Sequence, residues 1–175
     1  MNKIDIKEIV ESLIQTFINA GKVSLDLRLK GLTKEIKSDN TPVSNGDLEV
    51  NKIITKKIIE LTPNVTIVSE ETSENKSTSN LKDFWLIDPI DGTFDYINNK
   101  EEFTINAGLI INRKPVAGLI YAPAKKRMFF SYGEKLAFEV INGKNIKLDS
   151  SKNFDKNQIK FVTYSNNIKP EIDTI

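Results

Sequence analysis

Carboxylate side chains recur at three places where this sequence predicts that a helix begins or a strand ends. Asp47 lies at the start of a predicted helix, and Glu70 and Glu71 follow a short β-rich run. Asp88 and Asp91 come directly after a continuous apolar run. Alone, Asp47 would most often be a helix cap, and an acidic pair is common on surface loops. Functional groups concentrate at the ends of rigid elements, so the three features together predict one site.

The segment after the apolar run has residues suited to both a cation and an anion. A proline turns the chain there, so we expect Asp88 and Asp91 on one side with the carbonyl of Ile90 between them. Gly92 permits a positive φ and a close approach of backbone N–H groups to an anion. Thr93 supplies a hydroxyl for a water or a phosphate oxygen. Without the other acidic features, the same residues would more often form an ordinary capped turn.

The composition removes the commonest catalytic groups. The 175 residues contain no His and no Cys, which excludes a thiolate nucleophile, a Ser-His-Asp triad, a disulfide and an imidazole- or thiolate-ligated metal. Carboxylates, hydroxyls, Lys, Tyr and oxygen-bound hard metals are what is left. Converging carboxylates and a carbonyl favour Mg²⁺, with Mn²⁺ as the alternative, over zinc.

The charge balance limits the partners. With 25 Lys and Arg against 24 Asp and Glu, the chain has a formal charge of +1, which argues against binding a nucleic-acid polymer. A small phosphorylated substrate remains compatible with it. No segment is long and apolar enough to be a transmembrane helix, and the charged N-terminus does not read as a signal peptide. We expect a cytoplasmic protein, with peripheral membrane association left open.

Periodicity indicates the fold class. Apolar residues at helical spacing predict a helix from Ile6 to Gly21 and a second helix that ends before Pro63. The continuous apolar run 84–87 is typical of a strand buried on both faces. Two helices followed by a meander of strands indicate an α+β fold. The predicted strands are residues 65–68, 84–87, 103–111, 116–121, 128–132 and 136–141.

A change of character near residue 148 predicts a domain boundary. Residues 1–148 are expected to form an N-terminal metal-binding domain. Residues 149–175 are expected to be a linker and the start of a truncated C-terminal domain, with one more strand over residues 158–164.

Three motifs resemble a known family in their order and spacing. The nine residues from Trp85 to Thr93 resemble the signature of the inositol monophosphatase superfamily, and Ser69-Glu70-Glu71 resembles its acidic strand end. Residues 39–47 resemble its upstream loop, although Ser44-Asn45-Gly46-Asp47 stands where the family usually has Thr-x-Ala-Asp. Segments 102–106 and 118–124 look most like the CysQ-type 3'(2'),5'-bisphosphate nucleotidases.

The resemblance implies a Mg²⁺-dependent, lithium-sensitive phosphomonoesterase, with residues 1–148 as its metal-binding phosphatase domain. The implied fold is a layered α/β sandwich of the inositol monophosphatase and sugar phosphatase type. Glu70, Asp88, Asp91 and the carbonyl of Ile90 would hold the metals. The substrate would be adenosine 3',5'-bisphosphate, cleaved to AMP and phosphate by in-line attack of water.

The resemblance also implies roles for the remaining residues. Thr93 with Glu70, and Asp47 through a water, would orient the attacking water. Gly92 and Thr93 would offer backbone N–H groups to the phosphate. The implied substrate-binding residues are Glu70, Ile90, Asp91, Gly92 and Thr93.

The shortness of the chain opens other hypotheses. The family's C-terminal portion, with a Trp-Asp metal-ligand motif and residues that grip the substrate, is absent from the sequence. One hypothesis is therefore a metal-dependent phosphatase domain that binds metal weakly and whose C-terminal half is lost or separately encoded, which leaves the activity of the fragment open. A second is an inositol or sugar monophosphate phosphatase. A third is a non-catalytic truncated remnant or interaction module, in which exposed strand edges and apolar surface would favour self-association.

Overall fold

The computed structural model of the chain describes residues 5–37, 42–72 and 80–149. In these ranges there are three helices and nine strands. The helices are α1 (Ile6–Lys30), α2 (Asn45–Leu61) and α3 (Thr93–Ile97). The strands are β1 (Lys34–Ile36), β2 (Pro42–Ser44), β3 (Thr66–Ser69), β4 (Phe84–Asp91), β5 (Thr104–Ile111), β6 (Lys114–Ala122), β7 (Arg127–Tyr132), β8 (Ala137–Ile141) and β9 (Lys144–Lys147).

One seven-stranded sheet carries the site. Its strand order is β3-β4-β5-β6-β7-β8-β9, with β3 parallel to β4 and every other neighbour antiparallel. Strands β1 and β2 form a separate antiparallel pair. The predicted α+β class and the meander of strands are confirmed.

The core lies between the two long helices and one face of the sheet. Helix α1 packs against α2, β6 and β7, and α2 packs against β4. Alternate residues of β5, such as Ile105 and Leu109, point to this buried face. None of the described helices is long and apolar enough to cross a membrane.

The predicted end of the first helix at Gly21 is wrong. Helix α1 continues to Lys30 and ends at Gly31, which has a φ of 96°. Gly21 is buried inside the helix, and a Cβ there would overlap the ring of Tyr121 and lie 2.9 Å from Cγ of Pro123. The glycine permits a close approach of α1 to the C-terminal end of β6, which periodicity along one helix does not reveal.

Other predictions about the elements need correction. The strand around residues 84–87 is not buried on both faces, because Leu86 is 51% exposed, and the strand runs on to Asp91. The sequence patterns missed β1, β2, α3 and β9, which are short elements of three to five residues. The end of α2 before Pro63 is confirmed. The strand predicted over residues 158–164 lies outside the described residues, and the domain boundary at residue 148 stays a prediction.

Candidate active site

Asp47 is held at the start of α2 by a capping box. Ser44 is the N-cap, and Oδ2 of Asp47 accepts hydrogen bonds from the Ser44 backbone N–H at 2.8 Å and from its hydroxyl at 2.6 Å. Gly46 N–H donates in turn to Oγ of Ser44 at 3.2 Å. Asp47 is 1% exposed, so its carboxylate has a fixed orientation.

The second oxygen of Asp47 faces Thr93. Oγ1 of Thr93 lies 3.1 Å from Oδ1 of Asp47 and 2.9 Å from the carbonyl oxygen of Ile90. A hydroxyl has one proton to donate, so it bonds to one of these acceptors at a time or shares it between them. The structure thus places Asp47 and Thr93 in direct contact.

A β-bulge brings Asp88 and Asp91 to the same side of β4. Asp88 pairs with Asn106 of β5 and Asp91 pairs with Thr104, so the stretch between them has one residue more than its partner strand. Nδ2 of Asn106 donates to Oδ2 of Asp91 at 3.1 Å. Asn106 therefore pairs with Asp88 across the two strands, and its side chain contacts Asp91. Both aspartates lie on the same side of β4, as the sequence predicted.

The acidic pair after β3 is partnered by a lysine. Nζ of Lys37 lies 3.3 Å from Oε1 of Glu70 and 2.9 Å from Oε1 of Glu71. The Glu71 side chain is 4% exposed and that of Glu70 is 47% exposed, so the two glutamates face different surroundings. Ser69 anchors the end of β3 to α2, since its hydroxyl donates to Oδ1 of Asn51 at 2.7 Å.

Gly92 provides the turn that links Asp91 to Thr93. Its φ is 91°, in the left-handed region, and it is the N-cap of α3. A Cβ at this position would lie 2.7 Å from the backbone oxygen of Glu102. The predicted positive φ at Gly92 is therefore present, and no other residue type fits this turn without displacing backbone.

The pKa values of two aspartates in the site, Asp88 and Asp47, are raised. Burial, followed by the negative charges of Glu70 and Asp91, raises the pKa of Asp88 to about 7. Burial also raises the pKa of Asp47, although its hydrogen bonds from Ser44 and Thr93 act in the opposite direction.

The pKa values of Lys37 and Glu71 are both raised, but for different reasons. Burial acts against charged Lys37, but the hydrogen bond to Glu71 and the charges of both glutamates leave its pKa raised. Burial raises the pKa of Glu71 in spite of Lys37. We take Lys37 as firmly charged, because one ammonium is shared by two carboxylates and Glu71 is the buried partner.

The carboxylate and carbonyl oxygen atoms of the site are suitable ligands for a hard cation, but they do not form a coordination site in the described part of the chain. Within the described ranges, no group of three Asp or Glu side chains is arranged to hold a metal ion. Two buried acceptors of the site, Oδ1 of Asp88 and Oδ1 of Asn106, have no hydrogen-bond partner among the residues that the structure describes. Buried acceptors normally have a partner, and neighbouring like charges raise the pKa of Asp88, so a cation here would relieve both conditions.

Three contributors to this site were missed from the sequence. Lys37 precedes the upstream loop and gives no motif of its own. Asn106 lies within a segment that resembles the CysQ type, but only the β4–β5 register places it beside the aspartates. Ser44 could have been found, because a serine three residues before an acidic residue at a helix start is the capping-box pattern.

The raised pKa of Asp88 predicts a pH-dependent stability for the metal-free protein. An exposed carboxyl in the unfolded chain has a pKa near 3.8, against about 7 in the fold, so the folded state holds an extra proton between these values. This stabilisation is complete below pH 4 and is lost as the pH rises through 7. One pKa unit corresponds to about 1.4 kcal/mol, and screening reduces the total, so we expect Asp88→Asn to stabilise the protein by about 2 kcal/mol at pH 8.

Urea unfolding of the wild type and Asp88→Asn at pH 5 and pH 8, both in chelator, measures this effect. Glu134→Gln is the control, because it removes one negative charge at an exposed position far along the chain. An equal change for both variants at pH 8 would show that net charge, and not the local surroundings of Asp88, causes the stabilisation.

The fold and the site together define a class of protein. The site combines carboxylates at the ends of two neighbouring strands with an Asp–Thr pair and a glycine turn, and it has no imidazole or thiolate. These groups suit a cation bound by oxygen ligands that acts on an anionic substrate. The model of the inositol monophosphatase family matches residues 5–173. The chain belongs to the inositol monophosphatase family, as its motifs predicted.

Similar proteins of known name narrow the relationship. The 3'(2'),5'-bisphosphate nucleotidase CysQ of Haemophilus influenzae is 34% identical over 144 residues, which are 81% of this chain and 51% of that protein. The CysQ protein of Aggregatibacter actinomycetemcomitans is 32% identical over 142 residues, which are 80% of this chain and 53% of that one. The chain spans about half the length of these curated relatives.

Solved structures agree on the fold. The extragenic suppressor protein suhB from Bartonella henselae has a TM-score of 0.66 at 25% identity, covering 75% of this chain and 51% of that one. An IMPase/NADP phosphatase complexed with Mg²⁺ and phosphate has a TM-score of 0.64 at 21% identity, covering 74% of this chain and 50% of that one. The layered fold of the inositol monophosphatase type is thereby confirmed for the part that is aligned.

Proposed function

We propose that this chain carries the metal- and phosphate-binding part of a phosphomonoesterase that acts on 3'(2'),5'-bisphosphate nucleotides. The observation that carries the proposal is the contact between Thr93 and buried Asp47 beside the strand end that bears Asp88 and Asp91. The names of the curated relatives support the substrate, and the matching family model supports the phosphatase class. In this proposal residues 1–148 are the catalytic domain.

Each residue of the site has a role in the proposed reaction. Asp88, Asp91 and Glu70, with the carbonyl of Ile90, would hold Mg²⁺. Mg²⁺, when bound, supplies positive charge that offsets the carboxylates and the phosphate. The Mg²⁺ complex of a solved relative with the same fold supports this choice of metal. Lys37 would then have to release Glu70, while its shorter contact with Glu71 persists.

The Asp47–Thr93 pair would act on the attacking water. When the Thr93 hydroxyl donates to Asp47, its lone pairs are free to accept a hydrogen bond from water and to direct that water at phosphorus. The raised pKa of Asp47 makes its carboxylate a better proton acceptor than an exposed aspartate. Backbone N–H groups of Gly92 and Thr93 would meet the phosphate oxygens at the left-handed turn.

Two alternatives have specific support. Solved relatives named inositol monophosphatase share the fold, which favours an inositol or sugar monophosphate as an alternative substrate. The ion pairs of Lys37 with both glutamates, and the lack of a carboxylate trio among the described residues, favour a non-catalytic module that has no metal.

Metal binding and phosphate release separate these alternatives. We expect calorimetry at pH 8 to detect Mg²⁺ binding by the full chain, and Asp91→Ala to weaken it at least tenfold because a carboxylate ligand is lost. Glu134→Ala is a matched control, because it removes an exposed carboxylate in the turn between β7 and β8, at the end of the sheet away from Asp91. Release of phosphate from adenosine 3',5'-bisphosphate, compared with inositol monophosphate and fructose bisphosphate, then identifies the substrate class. Absence of Mg²⁺ binding in the wild type would leave the non-catalytic module as the better hypothesis.

A further inference from the structure

Tyr96 joins three elements from a fully buried position on α3. Its side chain has 0% exposure, and its hydroxyl donates to the backbone oxygen of Ser24 on α1 at 2.6 Å. Its ring packs against Phe103, with 4.9 Å between the centroids, and the guanidinium of Arg28 lies 5.6 Å from the ring centroid. The ring is thus fixed on two sides, and its hydroxyl end is fixed by the hydrogen bond.

Gly46 receives the hydroxyl end of this ring. It lies in the first turn of α2, between the N-cap Ser44 and the catalytic candidate Asp47, and it is buried. A Cβ at Gly46 would overlap the Tyr96 hydroxyl and would lie 2.7 Å from Cε1 and 2.8 Å from Cζ of the ring. Gly46 does not have a left-handed φ, so the glycine is needed here for space and not for backbone conformation.

We propose that Gly46 and Tyr96 form an interlocked pair that positions Asp47 against Thr93. The tyrosine hydroxyl fills the volume of the missing Cβ and ties the start of α2 to α1. Thr93 begins the same short helix that carries Tyr96, so the ring fixes one partner of the Asp47–Thr93 contact through α3 and the other through α2. Tyr96 and Gly46 are positioning residues, since neither contacts the reacting groups.

The pair predicts a reciprocal effect of two small substitutions. Gly46→Ala alone adds a methyl group that the anchored ring cannot avoid, so either α2 or α3 must shift. Tyr96→Phe alone removes the hydroxyl and the bond to Ser24, which leaves a small void. In the double variant the ring is no longer anchored and the alanine methyl takes the place of the hydroxyl, so each change compensates for the other.

A double-mutant cycle tests the stability part of the inference. We expect Gly46→Ala to lower the melting temperature by about 4 °C or more, and Gly46→Ala/Tyr96→Phe to melt above Gly46→Ala. Gly46→Ala combined with Tyr121→Phe is the control, because Tyr121 is a buried tyrosine that does not face Gly46. If Gly46→Ala does not fold, recovery of a folded double variant supports the pair. Additive effects, or a double variant that is no better folded, overturn it.

Carboxyl ¹³C NMR separates positioning from plain stabilisation. We expect the Asp47 carboxyl resonance and its titration to change in folded Gly46→Ala and to return toward the wild-type values in the double variant. The resonance of exposed Asp5 is expected to stay unchanged in both. An unmoved Asp47 signal in a destabilised Gly46→Ala would reduce the pair to a packing contact and overturn the proposal.

The activity readout rests on the proposed function, but the other readouts do not. If the wild type releases phosphate, Gly46→Ala is expected to lose mainly kcat and the double variant to regain part of it, with KM nearly constant. If the wild type neither binds Mg²⁺ nor releases phosphate while the cycle and the Asp47 signal behave as stated, the proposed function fails and the interlocked pair stands.

Discussion

If the chain has the proposed function, replacing Thr93 with alanine is expected to slow phosphate release by about 100- to 10,000-fold, the range typical of losing a group that handles the proton of the nucleophile. The hydroxyl contacts Asp47 at 3.1 Å and the Ile90 carbonyl at 2.9 Å, so it links the buried carboxylate to the strand end that would hold the metal. Its removal leaves the attacking water without an acceptor in the correct place and leaves Oδ1 of Asp47 without this donor. Steady-state kinetics with adenosine 3',5'-bisphosphate and Mg²⁺ measures the loss.

The controls for this substitution follow from the chemistry of the side chain. Thr93→Ser keeps the hydroxyl and is expected to retain activity within about tenfold, whereas Thr93→Val keeps the shape and is expected to behave like alanine. Calorimetry should show Mg²⁺ binding in all three, because the threonine hydroxyl is not among the proposed ligands. Activity of Thr93→Val close to that of the wild type would remove Thr93 from the mechanism and leave Asp47 as a structural cap.

Local patterns in the sequence were sufficient for the parts of the site that lie close together along the chain. The turn from Asp88 to Thr93 depends on a proline, a glycine and the strand before it, and all of these are neighbours in the sequence. The α2 boundary at Leu61 also follows from an adjacent signal, Pro63. Such features depend on backbone restrictions of single residues, which composition and spacing reveal directly.

The contacts that complete the site depend on distant residues. Lys37 reaches Glu70 across 33 positions, and Thr93 reaches Asp47 across 46. Gly21 looked like a helix end because its real neighbour, Tyr121, is 100 residues away in the sequence. Which side chain fills a given space is decided by tertiary packing, and periodicity within one segment contains no information about it.

The electrostatics of the site show why a motif alone does not establish a metal centre. The motif predicted ligands, and the structure brings Asp88 close enough to Glu70 and Asp91 for their charges to raise its pKa. The same structure provides Lys37 as a counter-ion for the glutamates. Protonation of Asp88, the ammonium of Lys37 and a divalent cation are three ways to neutralise one excess of negative charge.

Because a proton on Asp88 and a divalent cation compete for the same carboxylate, Mg²⁺ is expected to bind more tightly as the pH rises through 7.

Replacing Trp85 with alanine is expected to lower the free energy of unfolding by about 3 to 5 kcal/mol, the usual range for truncating a buried aromatic residue. Trp85 has 0% exposure and packs between the helices and the sheet. Its Nε1 donates to Oγ1 of Thr62 at 3.1 Å, and that hydroxyl donates to the carbonyl of Ile58 at 2.8 Å. The indole therefore ties β4, which bears both aspartates, to the C-terminal end of α2.

Urea unfolding of three variants separates the packing of the indole from its hydrogen bond. Trp85→Phe keeps most of the ring volume but loses the N–H, so it is expected to cost less than alanine, with about 1 kcal/mol of the loss due to the hydrogen bond. Leu29→Ala is the control, because this side chain is 86% exposed and truncation there should change stability by less than about 0.5 kcal/mol. Domains of this size have only about 5 to 15 kcal/mol of stability, so Trp85→Ala should also raise the unfolded fraction of the protein at 37 °C. A loss below 1 kcal/mol would mean that α2 is not packed on β4 as described.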